Sequence, residues 1–371
     1  MTAPTKSTPS GPLVGRPPRG GKGAGRGSMT VAVVVLAALL VLSATAGLAI
    51  GSVQVPPGQV WGIVTHTLGA GWTEPDWSRA RETIVLDVRA PRVLLGAVTG
   101  AGLAVVGTAM QALIRNPLAE PYLLGVSSGA SLGAVSVIVF GASLFGPVSL
   151  SVAAFVGALG ALMLVYATAR TGGRITSVRL VLSGVAIAAV LTAVLDLLLL
   201  TTDRGNEARA VLAWTLGGLG GVNWGTLWLP SAAMLLGIGV LLVQARNLNL
   251  LLAGEEAATT MGLDVARFRG RMFVLLSLVT GVLVAAAGPI GFVGLMLPHI
   301  VRLFVGGDHR RVLPTAALGG AVFLIWADIA ARTVAAPVEI PVGVLTALCG
   351  GPFFLWLMRR DARRATDRGV A

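Results

Sequence analysis

The stretch AGEEAATTMGLDVARFRGR, residues 253–271, decides how this chain is organised because it interrupts an otherwise apolar C-terminal half. Gly254 and Gly262 bracket seven residues that suit one short helix. The acidic pair Glu255 and Glu256 would lie in the first turn, where unpaired amide groups favour negative charge. Gly262 would take the left-handed conformation that ends a helix.

The side chains of this short helix divide into faces. Ala257, Ala258 and Met261 share one face. A second short piece, residues 263–268, leads into three arginines, and an apolar run begins at Met272. The pattern alone favours a solvated loop with a basic membrane anchor. The functional alternative is a compact protrusion on the cytosolic side to which another protein binds.

The composition excludes an ordinary soluble domain. Of 371 residues, 55% are apolar and 12% are charged, with a mean hydropathy of +0.83, whereas charged residues make up about a quarter of soluble domains. A bilayer core about 30 Å thick needs about 20 apolar residues per helix. The apolar runs are continuous, unlike the alternating strands of a membrane barrel. We therefore predict an all-α polytopic membrane protein.

The apolar runs predict ten transmembrane helices. Residues 51–92 are expected in an outer loop, whose tryptophans suit a membrane interface. Residues 214–225 are uncharged but too short for a span, and they predict an irregular or re-entrant element. The predicted spans are residues 29–50, 93–114, two segments of 121–169 divided at 141–147, 180–200, 226–245, 272–287, 290–305, 313–332 and 342–358.

The charges at the two ends support an even number of spans. Residues 1–28 are basic and rich in Pro, Gly and Ser, which predicts a disordered cytosolic tail. Residues 359–371 hold five arginines, so both termini are expected in the cytosol. Reading residues 272–305 as one span would give nine helices and leave those arginines outside.

Ten spans place residues 253–271 in the cytosol. The predicted domains are a disordered basic cytosolic tail at residues 1–28, a transmembrane domain at residues 29–360 and a second basic cytosolic tail at residues 361–371.

The sequence contains no motif of an enzyme. It lacks the G-x-x-x-x-G-K-[ST] phosphate loop, H-E-x-x-H and G-x-S-x-G, so no catalytic residue is predicted. One cysteine, Cys349, and three scattered histidines predict neither a disulfide framework nor a metal site. The net charge of +12 is attributed to loops that stay inside the cell, not to nucleic-acid binding.

An ion-coupled secondary transporter is one class of function that a polytopic membrane protein of this kind can have. Such a carrier commonly needs an acid near the middle of a span. Asp196 and Asp328 both lie past the middle of their spans, and Asp328 is followed at i+4 by Arg332, as expected of a paired structural charge. The role of Asp196 stays open.

Four ordered motifs resemble the FecCD family, the permease subunits of ABC importers for iron-siderophores, haem and cobalamin. The resemblance covers roughly residues 55–360, with the segments in family order. The motifs are MQALIRNPLAEPYLLGVSSGASLGA at 110–134, WTLGGLGGVNW at 214–224, GPIGFVGLMLPHIVRLFVGGDHRRVLP at 288–314, and ADIAAR at 327–332 with EIPVGVLTALCGGPFFLWLM at 339–358.

The resemblance implies a type II importer architecture with ten helices per subunit. Two permease subunits, identical or different, would enclose a central path, carry two cytosolic ABC ATPases and receive substrate from an extracytoplasmic binding protein. ATP and magnesium would be bound by the ATPases, so no cofactor is expected in this chain. The expected function is import of a metal chelate across the cell membrane, and the sequence does not identify which chelate.

The resemblance also implies two contact sites, and it reverses the preference for a plain loop at residues 253–271. In the family, the loop between helices six and seven fits a cleft in the ATPase, while outer-face arginines dock acidic groups of the binding protein. Composition alone would make such arginines interfacial residues with charged ends in water. The matching ATPase-coupling positions are Gly254, Glu255, Ala258, Met261 and Gly262, and the matching docking positions are Arg89 and Arg92 in VRAPR and Arg332.

Overall fold

The computed structural model describes residues 26–69, 75–140, 149–170, 177–200 and 205–369, and within those ranges every regular element is helical. The predicted all-α class is confirmed. We number the longer helices in chain order: α1 Arg26–Ala49, α2 Pro57–Thr67, α3 Arg79–Ile114, α4 Val126–Phe140, α5 Ser149–Ala169, α6 Ser177–Leu200, α7 Gly205–Thr215, α8 Trp224–Val243, α9 Ala245–Leu252, α10 Glu255–Thr260, α11 Val265–Ala287, α12 Val293–Val305, α13 His309–Thr333 and α14 Val342–Gly369.

Eight of the described helices are long and apolar enough to cross a membrane, namely α1, α3, α5, α6, α8, α11, α13 and α14. Two shorter apolar helices, α4 and α12, lie where the third and eighth spans were predicted. Counting them as spans gives ten. That count, and with it the cytosolic placement of both termini, stays a prediction.

Helix α3 is the centre of the bundle, since 89% of its apolar window is buried against at most 61% in the other membrane-length helices. Two glycines let neighbouring backbones approach it. A Cβ atom at Gly100 would collide with the carbonyl of Gly320 on α13, and one at Gly107 would collide with the carbonyl of Gly294 on α12. Small residues permit this close packing where apolar side chains gain little by leaving lipid.

The prediction of an outer loop at residues 51–92 was wrong for much of its length. It contains α2 and the first third of α3, which begins at Arg79 after Ser78 caps it by accepting from the backbone amide of Arg81. Residues Ile84–Arg89 form a π-helical turn inside α3. The charges on this segment suggested a loop, but a helix end beyond the membrane needs no continuous apolar face.

The charge-free run after residue 272 is broken, as predicted. Helix α11 ends at Ala287, both Gly288 and Phe292 have positive φ, and α12 has only 13 residues. At about 1.5 Å per residue, α12 is about 20 Å long, shorter than a bilayer core of about 30 Å. Residues 288–292 therefore reverse the direction of the chain within the bundle, and we call them the deep turn.

The remaining boundaries differ from the prediction in smaller ways. In the predicted irregular element at 214–225, α7 reaches Thr215, and α8 begins at Trp224 with Asn223 and Thr226 forming a capping box. Residues 216–223 between them are irregular, as expected. The predicted tail at residues 1–28 lies outside the described residues up to 25, and α14 extends to Gly369.

Candidate functional site

The predicted coupling segment, residues 253–271, contains the short helix that its glycines indicated. Helix α10 has six residues, with Gly254 before it at φ 113° and Gly262 after it at φ 87°. The amide of Leu263 donates to the carbonyl of Ala258, and that of Gly262 donates to Thr259. This pair of bonds is a Schellman motif, which needs the left-handed conformation that glycine takes without strain.

The five predicted coupling residues have different surroundings. Ala258 is completely buried, so it joins α10 to the bundle, whereas Met261 is 55% exposed. Glu255 points back into the chain, where its Oε1 lies 2.7 Å from Nη2 of Arg269. Met261 is therefore the predicted coupling side chain best placed to contact another protein.

Arg269 was not singled out in the sequence. It is 5% exposed, and besides pairing with Glu255 it donates from Nε to the carbonyl of Leu113 at the end of α3, at 3.0 Å. The predicted separate piece at residues 263–268 is instead the start of α11, because the side chain of Asp264 accepts from the amide of Arg267 and caps that helix. Arg269 thus lies on the same rigid helix as the following span.

A second set of polar contacts fixes the segment just before α10. Asn249 on α9 donates to Oδ1 of Asp308 at 2.7 Å and accepts from the backbone amide of His309 at 2.9 Å. Burial raises the pKa of the Asp308 carboxyl, but the hydrogen bonds from Asn249 and the amide of Arg310, with nearby arginine charges, lower it below its ordinary value. A charged Asp308 therefore caps α13.

Two of the predicted docking arginines bind the end of α1. Arg89, 4% exposed, donates to the carbonyls of Leu48 and Ala49, at 2.7 and 3.1 Å, and to that of Val53. Arg332, 8% exposed, donates to Gly47 at 3.1 Å and Ile50 at 3.3 Å. The last carbonyls of a helix have no partner inside it and attract positive charge. Both arginines therefore cap α1.

Arg92 connects this buried cluster to the surface. Its Nε lies 2.9 Å from Asp328, which also pairs with Arg332 at 3.0 Å, confirming the expected i, i+4 pair. On the other side, two guanidinium nitrogens reach the two carboxylate oxygens of Glu339, at 2.9 and 3.2 Å. The side chain of Glu339 is 53% exposed, against 3% for Asp328. The three predicted arginines are thus adjacent, and among them Arg92 is the one that pairs with an exposed carboxylate.

The deep turn is held by side chains that the sequence reading overlooked. The hydroxyl of Tyr122 donates to the carbonyl of Ile290 and accepts from its amide, both at 2.8 Å. The carboxylate of Glu120 accepts from the amide of Phe292. Both side chains belong to the segment between α3 and α4, so that segment anchors the start of α12.

The two acids that the ion-coupled alternative needs are placed differently. Asp328 is occupied by two arginines, as described above, and Asp196 is exposed on α6. Neither position forms an enclosed ion site within the described residues.

Comparison with known proteins places the chain in a family. The model of the FecCD transport family matches residues 36–360. A permease protein of a cobalamin import system, BtuC of Halobacterium salinarum, is 41% identical over 90% of this chain and 95% of its own length. The permease protein HmuU of a hemin transport system from Yersinia pestis is 42% identical, over 87% and 93% of the two chains.

A third relative and a solved structure agree with this assignment. The permease protein YfmD of a Bacillus subtilis Fe(3+)-citrate import system is 40% identical, over 76% of this chain and 84% of its own. A solved inward-facing conformation of a metal-chelate type ABC transporter superimposes with a TM-score of 0.77 and 29% identity, covering 89% of this chain and 99% of that one. With a family match across most of its length and relatives above 40% identity, this multi-pass membrane chain belongs to the FecCD transport family.

Proposed function

We propose that this chain is the permease subunit of a binding-protein-dependent ABC importer. It moves a metal chelate, either an iron-siderophore or a haem- or cobalamin-type complex, across the cell membrane. The named relatives carry cobalamin, hemin and ferric citrate, which are all compact metal complexes. Separate ATPase subunits bind ATP and magnesium on the cytosolic side and supply the energy.

The coupling segment is the observation that carries this proposal. A flexible loop would absorb an applied displacement, whereas α10 is bracketed by two left-handed glycines, packed through Ala258 and tied by Glu255 to a buried arginine. Its exposed Met261 offers an adaptable apolar contact, a residue type common at protein-binding surfaces. Such a segment suits an input from a moving ATPase.

The proposed docking site for the binding protein is the group of side chains around Arg92, which we call the outer cluster. It comprises Arg89, Arg92, Asp328, Arg332 and Glu339. Arg92 is the arginine through which docking takes place, since its exposed partner Glu339 can be exchanged for a carboxylate of the incoming protein. An exposed ion pair contributes only about 0–1 kcal/mol, and a guanidinium holds either carboxylate in the same two-pronged geometry. Arg89 and Arg332 support this site by fixing α1 beside it.

A second permease subunit completes the proposed transport path. The apolar windows of α6 and α14 are only 17% and 22% buried in the single chain. Faces exposed to this extent are covered by lipid or by the second subunit, which is either a copy of this chain or a related one.

Reconstitution with the candidate ATPase and binding protein tests the proposal. Uptake of labelled haem, cobalamin or a ferric siderophore into proteoliposomes should require ATP on the side of the membrane where the ATPase is bound. It should stop when vanadate is added. Uptake that persists without ATP but collapses with an uncoupler would instead support the ion-coupled transporter. A chain that neither binds an ATPase nor supports uptake of any of these chelates would refute the proposal.

A further inference from the structure

The last turn of α3 takes part in two side-chain contacts to backbone carbonyls that have no partner within their own helix. A helical carbonyl normally accepts from the amide four residues later. For Leu113 that residue would be Pro117, which lies beyond the end of α3 at Ile114, after Arg115 with its positive φ, so the helix itself offers this carbonyl no donor. The Leu113 carbonyl accepts instead from Nε of Arg269, at 3.0 Å. The end of α3 is thereby joined to α11.

The second of these contacts occurs at the start of α12. The carbonyl of Gly294 would pair with residue 298, but this is Pro298. Gln111 on α3 donates from Nε2 to Gly294 at 3.3 Å and to Leu295 at 3.2 Å, and its Oε1 accepts from Arg302 near the other end of α12. Gln111 is 3% exposed. It therefore holds α12 at both ends.

These contacts form a continuous connection because Gln111 and Leu113 lie two residues apart on the same turn. The connection runs from Glu255 on α10 to Arg269 over 2.7 Å, on to Leu113, and through Gln111 to α12. The side chain of Arg269 is 6% exposed while that of Glu255 is 52% exposed. A charge-assisted bond at a mostly buried cation is short and well oriented, so it favours a rigid link.

We infer that Arg269 is a positioning residue that transmits a displacement of α10 to the last turn of α3, and that Gln111 passes it to α12. This inference rests on the proposed function only in taking an ATPase as the source of the displacement. The link itself is a property of this chain. Spatial continuity alone does not demonstrate coupling, so the link and its effect on transport are measured separately.

The link is measured on the isolated chain in lipid nanodiscs. Spin labels are attached through Met261→Cys and Leu118→Cys in a Cys349→Ser background; Met261 and Leu118 are 55% and 39% exposed, and Cys349 is the single native cysteine. The distance distribution between the labels should broaden in Arg269→Met.

Two further variants make this measurement specific. Glu255→Ala removes one contact at a half-exposed site without disturbing the buried arginine, so it should also broaden the distribution even if Arg269→Met folds poorly. Arg271→Met changes an exposed arginine two residues away and should leave the width unchanged. An unchanged width in both Glu255→Ala and Arg269→Met would overturn the inference.

Transmission is measured in the assembled importer as the number of chelate molecules moved per ATP hydrolysed, using the chelate taken up in the reconstitution described above. Glu255→Ala and Arg269→Met should each lower this ratio by about tenfold, within the usual range of coupling between sites, while ATP hydrolysis continues. Arg269→Lys should restore part of the loss because it keeps the charge and a donor.

A double variant separates a shared path from two independent defects. Glu255→Ala combined with Arg269→Met should be no worse than Arg269→Met alone, because both remove the same contact. Additive losses, or normal ratios with broadened distances, would overturn the transmission role. If the unmodified chain transports no chelate with any ATPase, the proposed function fails, while the spin-label distances still decide whether the link exists.

Discussion

Replacing Arg89 with methionine is expected to destabilise the C-terminal end of α1. The guanidinium donates to three carbonyls, those of Leu48, Ala49 and Val53, and only 4% of the residue is exposed. Methionine fills similar volume but donates no hydrogen bond. The Ala49 carbonyl keeps a second donor, the amide of Val55 at 3.0 Å, and Val53 is 43% exposed to water, so the carbonyl of Leu48 is the one that loses most.

The magnitude follows from the number of carbonyls affected. Leaving a buried acceptor without a donor costs about 1–3 kcal/mol, and this cost applies to Leu48 but only in part to Ala49 and Val53, which have another donor or water. We expect a net loss of about 1–3 kcal/mol in the free energy of unfolding, above the change of about 0.5 kcal/mol typical of surface substitutions.

The assay is equilibrium unfolding of the chain in nanodiscs, compared with Arg79→Met as a matched control. Arg79 lies on the same helix and is exposed. The control should unfold like the unmodified chain, and Arg89→Met should unfold at lower denaturant. Equal stability of the two variants, combined with lost capture of the binding protein by Arg89→Met alone, would refute the capping role and support direct docking by Arg89.

Three further predictions concern the coupling segment, the outer cluster and the helix packing. Met261→Asp should leave the protein folded and membrane-bound but lower ATPase co-purification, since it places a charge on the exposed apolar contact; unchanged co-purification would exclude Met261 from that contact. Glu339→Gln should raise the affinity for the loaded binding protein by about two- to fivefold, the size of a surface ion pair, and combining it with Arg92→Gln should abolish the gain; surface plasmon resonance measures both. Gly107→Ala should destabilise the bundle by about 3 kcal/mol, the upper range for overpacking, because the new methyl group meets the backbone of Gly294. The control Gly160→Ala, which meets no atom within 4 Å, should have no such effect in the same unfolding assay.

Hydropathy and glycine positions predicted most of the fold. The runs between charged segments located the eight membrane-length helices, because burying backbone in lipid requires continuous apolar helices. Gly254 and Gly262 located α10, since positive φ at a helix boundary is readily adopted only by glycine. The break at Gly288 was predicted for the same kind of reason.

The functional contacts were harder to predict because they join residues far apart in the chain. Arg269 was read as part of a basic anchor, yet its partner Leu113 is 156 positions away and offers a backbone carbonyl, which leaves no mark in side-chain composition. Arg89 and Arg332 were identified as an outer pair by resemblance, but their carbonyl partners on α1 were invisible for the same reason. One signal was available: Pro298, inside α12, indicates that the carbonyl of Gly294 needs another donor.

The π-helical turn at Ile84–Arg89 divides α3 into two parts. It changes the direction in which side chains of the first part point, about the helix axis, relative to those of the second part. The amide of Ala90 donates to the carbonyl five residues back, at Val85, so the turn contains one residue more than a regular helix would. Deleting a single residue there would restore regular winding and rotate the first third by about 100° relative to the bundle. That rotation would move Arg81 away from Gln59, to which it now donates at 2.8 Å, while the glycine contacts with α12 and α13 stayed in register. A one-residue length change here would therefore also disturb the packing of the buried Val85 against Ala49, while the packing at the centre of α3 would be kept.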